Sequence, residues 1–203
     1  MYVVTAMKSE LNNAVQVAQE RVKIQFADAF RAIYQRNRVP DSFGVDTPQI
    51  DRLVITGRSD LAGVYYKDGF YIILTDRPVE GNSCKLFAGN LRAIYRGECA
   101  TTRKRVTSHL FHSHYKADYS ERATRYQSKP ENRGKTFYEA FWPHCLKLEA
   151  GGPSGVDIDQ DPNRNYSWLV VVHQMEGSSQ EVRKLAELAF DEVFGHPAGS
   201  RDA

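Results

Sequence analysis

Cysteine is scarce: Cys84, Cys99 and Cys145 are the only three in 203 residues, and their wide, irregular spacing forms neither a paired disulfide framework nor a CxxC metal knuckle. A reducing, cytoplasmic setting is the simplest expectation. Long apolar runs are missing too; nothing approaches the roughly 18 residues needed to span a membrane, so no membrane partner is expected. The opening MYVVTAMKSELNNAV has neither a basic leader nor a sustained apolar stretch and does not read as a secretory signal. There is no internal repeat or low-complexity tract. The formal net charge is only +2, so the total says little about partners.

What is present is a 41% apolar fraction, enough to furnish a core, and an uneven charge distribution. Residues 103–135 hold nine Lys or Arg against three Asp or Glu, together with three histidines, whereas residues 136–203 hold five against eleven. A basic middle beside an acidic tail suits a polyanion-binding surface next to a metal pocket; a solvated basic helix is the plainer alternative.

Ser9 to about Arg36 lacks Pro and Gly and predicts a long amphipathic helix with Val15, Val22, Phe26, Phe30 and Ile33 on its buried face. Leu53-Val54-Ile55 and Gly63-Val64-Tyr65-Tyr66 predict the first strands, and Lys67-Asp68-Gly69 a turn into the β-prone run Phe70–Leu74. Ala93-Ile94-Tyr95 predicts another short strand. A helix is expected from Thr101, a further one over Phe137–Leu148, and a loop over 150–165. Tyr166–Val172 reads as a buried strand. Ser178 or Ser179 caps a final helix to Phe194, stopped by Gly195 and Pro197. The expected fold is α/β of the α+β kind: a small, mostly antiparallel central sheet flanked by helices. Residues 1–52 form an N-terminal helical extension, and 53–203 the main domain, with a basic insertion at about 113–165.

Gly63-Val64-Tyr65, then Tyr95-Arg96-Gly97-Glu98 followed by Arg103-Lys104-Arg105-Val106, resembles the GIY-YIG nuclease superfamily in its tyrosine strand, turn and arginine-bearing helix. Arg105 stands ten residues after Tyr95, in the place of the family's catalytic arginine, and His109 lies one helical turn further, where restriction-type members carry a histidine. A late strand, Arg183-Lys184-Leu185-Ala186-Glu187-Leu188 and Gly195-His196-Pro197 resemble the last strand and the metal-glutamate helix. The match covers about residues 60–112 and 166–198. Two departures stand out. Tyr65 and Tyr95 are thirty residues apart, wider than the family's paired motifs, and Ala198-Gly199-Ser200 replaces its terminal asparagine, leaving Ser200 as the candidate brace.

The resemblance implies catalysis by Tyr65, Tyr95, Arg105, His109 and Glu187. Arg105 offers a permanently charged fork for a nonbridging phosphate oxygen, and its spacing of four puts His109 on the same helix face. The tyrosines would orient water or give up a proton, and His109 would relay one. Glu187 is the expected ligand of Mg²⁺ or Mn²⁺, with Glu181, Asp191 and Glu192 as competitors. Each residue also has an ordinary alternative: half-buried packing for the tyrosines, a solubilising surface for Arg105 and Glu187. His112 and His114 lack zinc-site spacing relative to His109, and Asp157, Asp159 and Asp161 lack the calcium-loop pattern. Arg103, Lys104, Lys116, Arg122, Arg125, Lys129, Arg133 and Lys135 are the candidate DNA contacts, while Tyr115, Tyr119 and Tyr126 pack the insertion or join them.

The expected activity is metal-dependent hydrolysis of double-stranded DNA. No appended DNA-binding module is recognised, so a sequence-specific type II restriction enzyme is favoured over a repair or mobile-element nuclease. Cutting both strands calls for a homodimer or sequential binding. Binding of nucleic acid without cleavage, and a protein-interaction role for the first helix, are the competing expectations.

Overall fold

A computed structural model describes residues 2–44, 49–133, 148 and 155–200 of the chain; the expected helix at 137–147, Lys135 and the start of the 150–165 loop lie outside the described residues. The element order is α1 (Tyr2–Ile33), β1 (Ile50–Val54), β2 (Gly69–Thr75), β3 (Phe87–Ala88), β4 (Leu91–Cys99), α2 (Thr102–Leu110), α3 (His112–Gln127), β5 (Trp168–Gln174) and α4 (Gln180–Phe194). The five strands form one sheet in the order β1-β5-β2-β4-β3, with every strand pair antiparallel. The fold is therefore α+β. No helix among the described residues is long and apolar enough to cross a membrane.

β2 is buried along its whole length because it lies between β5 and β4 and is covered on both faces. Strand alternation then sends Phe70, Ile72 and Leu74 into one core with α1 and α4, and Tyr71 and Ile73 into the other with α2. β5 divides likewise, Leu169 and Val171 on the first face and Trp168, Val170 and Val172 on the second. α4 begins as expected, Ser179 Oγ accepting from the Val182 N–H at 3.4 Å.

α1 has two unlike halves. Ala27, Phe30 and Tyr34 are buried, and the Phe30 ring meets those of Phe70, Phe190 and Phe194 at centroid distances of 5.5, 5.9 and 6.3 Å. Residues 10–21 are exposed throughout, so Val15, expected on the buried face, is 56% exposed. Its periodicity is helical, yet the sheet ends before it. The expected boundary at residue 52 falls inside β1, and the second half of α1 belongs to the core.

Two further elements differ from expectation. Gly63-Val64-Tyr65-Tyr66 is not a strand: Arg58–Gly63 forms a 3₁₀ helix, and Val64–Asp68 is the loop leading into β2. The helical stretch from Thr101 is broken at Phe111, whose neighbours pair with the incoming chain through His112 N–H to Val156 O and Ile158 N–H to Leu110 O. Asp157 satisfies the start of α3, accepting from Ser113 N and Oγ at 2.8 and 2.7 Å, which is a structural use of that aspartate.

Candidate active site

In the β2–β4 pair Tyr71 lies opposite Gly97, and Ile73 opposite Tyr95. Tyr71 and Tyr95 are thus diagonal neighbours on one face, with ring centroids 5.9 Å apart and stacked. Two glycines make this possible. A Cβ at Gly97 would stand 2.7 Å from Tyr71 Oη and 2.9 Å from Tyr95 Cε1, and one at Gly69 would stand 2.8 Å from Thr102 Oγ1. The first glycine admits the two phenols, and the second admits the start of α2 against the sheet.

α2 supplies the other two groups. His109, buried, places Nε2 2.9 Å from Tyr71 Oη and its ring centroid 4.3 Å from that of Tyr95. Arg105, one turn earlier, is partly buried near Tyr71, Cys99 and Tyr95, which together outweigh the effect of burial and favour its charged form. Burial pushes both phenols above their ordinary range, Tyr71 well above, and the Arg105 charge opposes this in each. Both are neutral at neutral pH.

Glu187 arrives from the opposite side of the sheet. α4 presents Arg183, Glu187 and Asp191 to β4, one helical turn apart, where Arg96 and Glu98 meet them. Arg183 Nε donates to Glu98 Oε2 at 2.8 Å, Arg96 Nη1 to Glu187 Oε1 at 3.2 Å, and Arg96 Nη2 to Asp191 Oδ2 at 2.6 Å. β3 covers β4 only at Leu91 and Arg92, so the outward backbone groups further along are met by other partners. Gly199 N–H donates to Ile94 O, and Ser200 Oγ accepts from Arg96 N–H at 2.8 Å and donates to Arg96 O at 3.2 Å. Ser200 thus supplies a brace at the β4 edge. Glu187 lies on the α4 side of β4, held by Arg96.

Burial raises the Glu187 carboxyl above its ordinary range; Arg96 opposes this, and Glu98 and Asp191 add to it. Among the described residues no three His, Cys, Asp or Glu side chains converge as a metal cage. Glu187 supplies one buried carboxylate, paired with Arg96 at 3.2 Å. Mg²⁺ commonly takes only one or two protein carboxylates and completes its shell with water and phosphate.

Of the expected catalytic residues, Tyr95, Arg105 and His109 share the α2 face of the sheet, Glu187 lies on the α4 side against Arg96, and Tyr65 contacts none of them. Its hydroxyl donates to Glu176 at 3.2 Å from the loop before β2. Tyr71 stands where Tyr65 was expected. The signal was available: Gly69-Phe70-Tyr71 repeats the Gly-x-Tyr pattern six residues later, inside the strongest strand candidate of the chain.

Among the candidate DNA contacts, Arg103 is spent on the fold, its Nε and Nη2 donating to Val64 O and Ala62 O, each at 2.7 Å. Arg125 pairs with Glu121 at 3.3 Å. Lys104, Lys116, Arg122, Lys129 and Arg133 are exposed. No protein-family model, curated protein or solved structure matches this chain.

Proposed function

We propose that this protein is a metal-dependent endonuclease of the GIY-YIG kind that hydrolyses double-stranded DNA. The observation that carries the reading is the convergence of Tyr71, Tyr95, Arg105 and His109 on one face of the β2–β4 pair, with Glu187 on the α4 side of β4. Tyr71 replaces Tyr65 as the first motif tyrosine, which brings the two tyrosines to twenty-four residues apart.

The Tyr71 hydroxyl orients the attacking water and takes its proton while passing its own to His109 Nε2, 2.9 Å away. Tyr71 never has to ionise in this relay, which agrees with the strong penalty burial places on its phenolate. Tyr95 holds the Tyr71 ring in place. Arg105 presents two N–H donors to a nonbridging phosphate oxygen, where negative charge grows as the phosphorus becomes five-coordinate. Glu187 would hold Mg²⁺ or Mn²⁺, and such an ion supplies Lewis-acid charge to the phosphate and the leaving oxygen. Lys104, Lys116, Arg122, Lys129 and Arg133 offer a backbone track, and a type II restriction enzyme acting as a homodimer is the favoured form of this activity.

One observation favours a second reading, DNA binding without cleavage: Arg96 already neutralises Glu187. The test is incubation with diverse unmethylated duplex DNA in Mg²⁺ or EDTA, beside Glu187→Gln. Discrete fragments from the wild type in Mg²⁺ alone support the nuclease. Salt-sensitive binding without fragments supports the second reading.

A further inference from the structure

The Gly63-Val64-Tyr65-Tyr66 segment takes no part in the tyrosine–histidine–arginine cluster, yet it is tied firmly to the helix that carries Arg105. Arg103 donates to Val64 O and Ala62 O, and Thr102 donates to Lys67 O through N–H at 3.1 Å and Oγ1 at 2.8 Å. What this clamp holds up is Tyr66, a large aromatic that is 58% exposed. Lys67 Nζ and Arg103 Cζ each lie 5.7 Å from its ring centroid, and the Tyr65 ring lies 6.0 Å away. Lys67 is itself held by Glu176, which also receives the Tyr65 hydroxyl. Ordering an exposed ring beside two cations gains little for stability; it does fix an exposed aromatic surface of the kind on which a nucleobase stacks.

We propose that Tyr66 is a base-stacking platform that receives a nucleobase displaced from the duplex near the cut. The inference rests on the nucleic-acid reading of the neighbouring site. Arg103 and Arg105 are two residues apart on α2, about 200° around the helix, so Tyr66 and the phosphate-binding Arg105 lie on opposite flanks of it.

The experiment compares wild type, Tyr66→Ala and Tyr66→Trp for binding, in EDTA, to a mixed-sequence duplex, a mixed-sequence single strand and an abasic strand of equal length. Thermal melting checks that the exposed substitution leaves the fold intact. Tyr66→Ala should bind the two base-containing probes about tenfold more weakly, within the range of base–aromatic stacking, and the abasic strand as well as wild type does. Tyr66→Trp should retain affinity, and its added fluorescence should be quenched by the base-containing probes. Equal affinity of Tyr66→Ala and wild type for every probe overturns the platform, even where wild type cleaves DNA in Mg²⁺. The predicted binding pattern without cleavage leaves the platform standing and removes the nuclease reading, and failure of wild type to bind any probe removes both.

Discussion

Two Gly-x-Tyr triplets six residues apart lead to opposite roles for their tyrosines, and this is where single substitutions discriminate best. Tyr71 shares a buried hydrogen bond with His109, whereas Tyr65 hydrogen-bonds an exposed glutamate. Arg105→Lys should lower cleavage about 100-fold or more while leaving DNA affinity within a few fold, because a point charge replaces a bidentate fork aimed at the transition state; single-turnover rates beside equilibrium binding check this. Gly97→Ala should destabilise the fold by about 1–3 kcal/mol in urea unfolding and impair cleavage as well, since its methyl would meet both phenols. Much of the site was legible from residue type and spacing: Tyr95, Arg105 and His109 lie within fifteen residues, on one strand and the helix after it. Tyr65 does not neighbour Tyr95, because a three-residue pattern carries no register; the pairing of β2 with β4 puts Tyr71 beside Tyr95 instead.

Elements show the same division between pattern and context. The period of α1 predicts a helix, but helical spacing cannot say where a supporting sheet ends. Phe30→Ala should therefore cost about 3–5 kcal/mol of stability, whereas Leu11→Ser, at a position 61% exposed, should change it by less than about 0.5 kcal/mol. β5 carries a second prediction. His173 packs, partly buried, against Phe30, Tyr34 and Phe70, with Nε2 2.6 Å from Tyr34 Oη, and desolvation there lowers its pKa from 6.5 to about 4. Below pH 6.5 the unfolded chain takes up a proton there that the folded protein refuses until about pH 4. Stability should fall across that window, by up to about 3 kcal/mol from this group, and level off below it. Urea midpoints at pH 6.5 and 4.5 should show a shallower loss for His173→Gln than for wild type. The ladder between α4 and β4 was beyond sequence reasoning, because Arg96 and Glu98 meet Glu187 only through a strand and a helix about ninety residues apart.

At the scale of the molecule, one sheet separates two jobs. The α1–α4 face provides the aromatic core, and the α2 face carries the tyrosines, Arg105 and His109, with Glu187 on the α4 side of β4 against Arg96. The charge asymmetry of the sequence does not say which cations are available; Arg103 is tied to carbonyls, and Lys104, Lys116 and Arg122 are exposed. Removing Lys116 and Arg122 together should weaken DNA binding across sequences and reduce the slope of log affinity against log salt by about 1.8, as loss of two phosphate contacts requires. The most direct test of the whole account is the Mg²⁺-dependent cleavage rate of wild type, Tyr71→Phe and Tyr65→Phe on the same diverse duplex DNA. The account predicts a loss of about 100-fold or more for Tyr71→Phe and a rate within about threefold of wild type for Tyr65→Phe. Undiminished cleavage by Tyr71→Phe, or an equal loss in Tyr65→Phe, would contradict it.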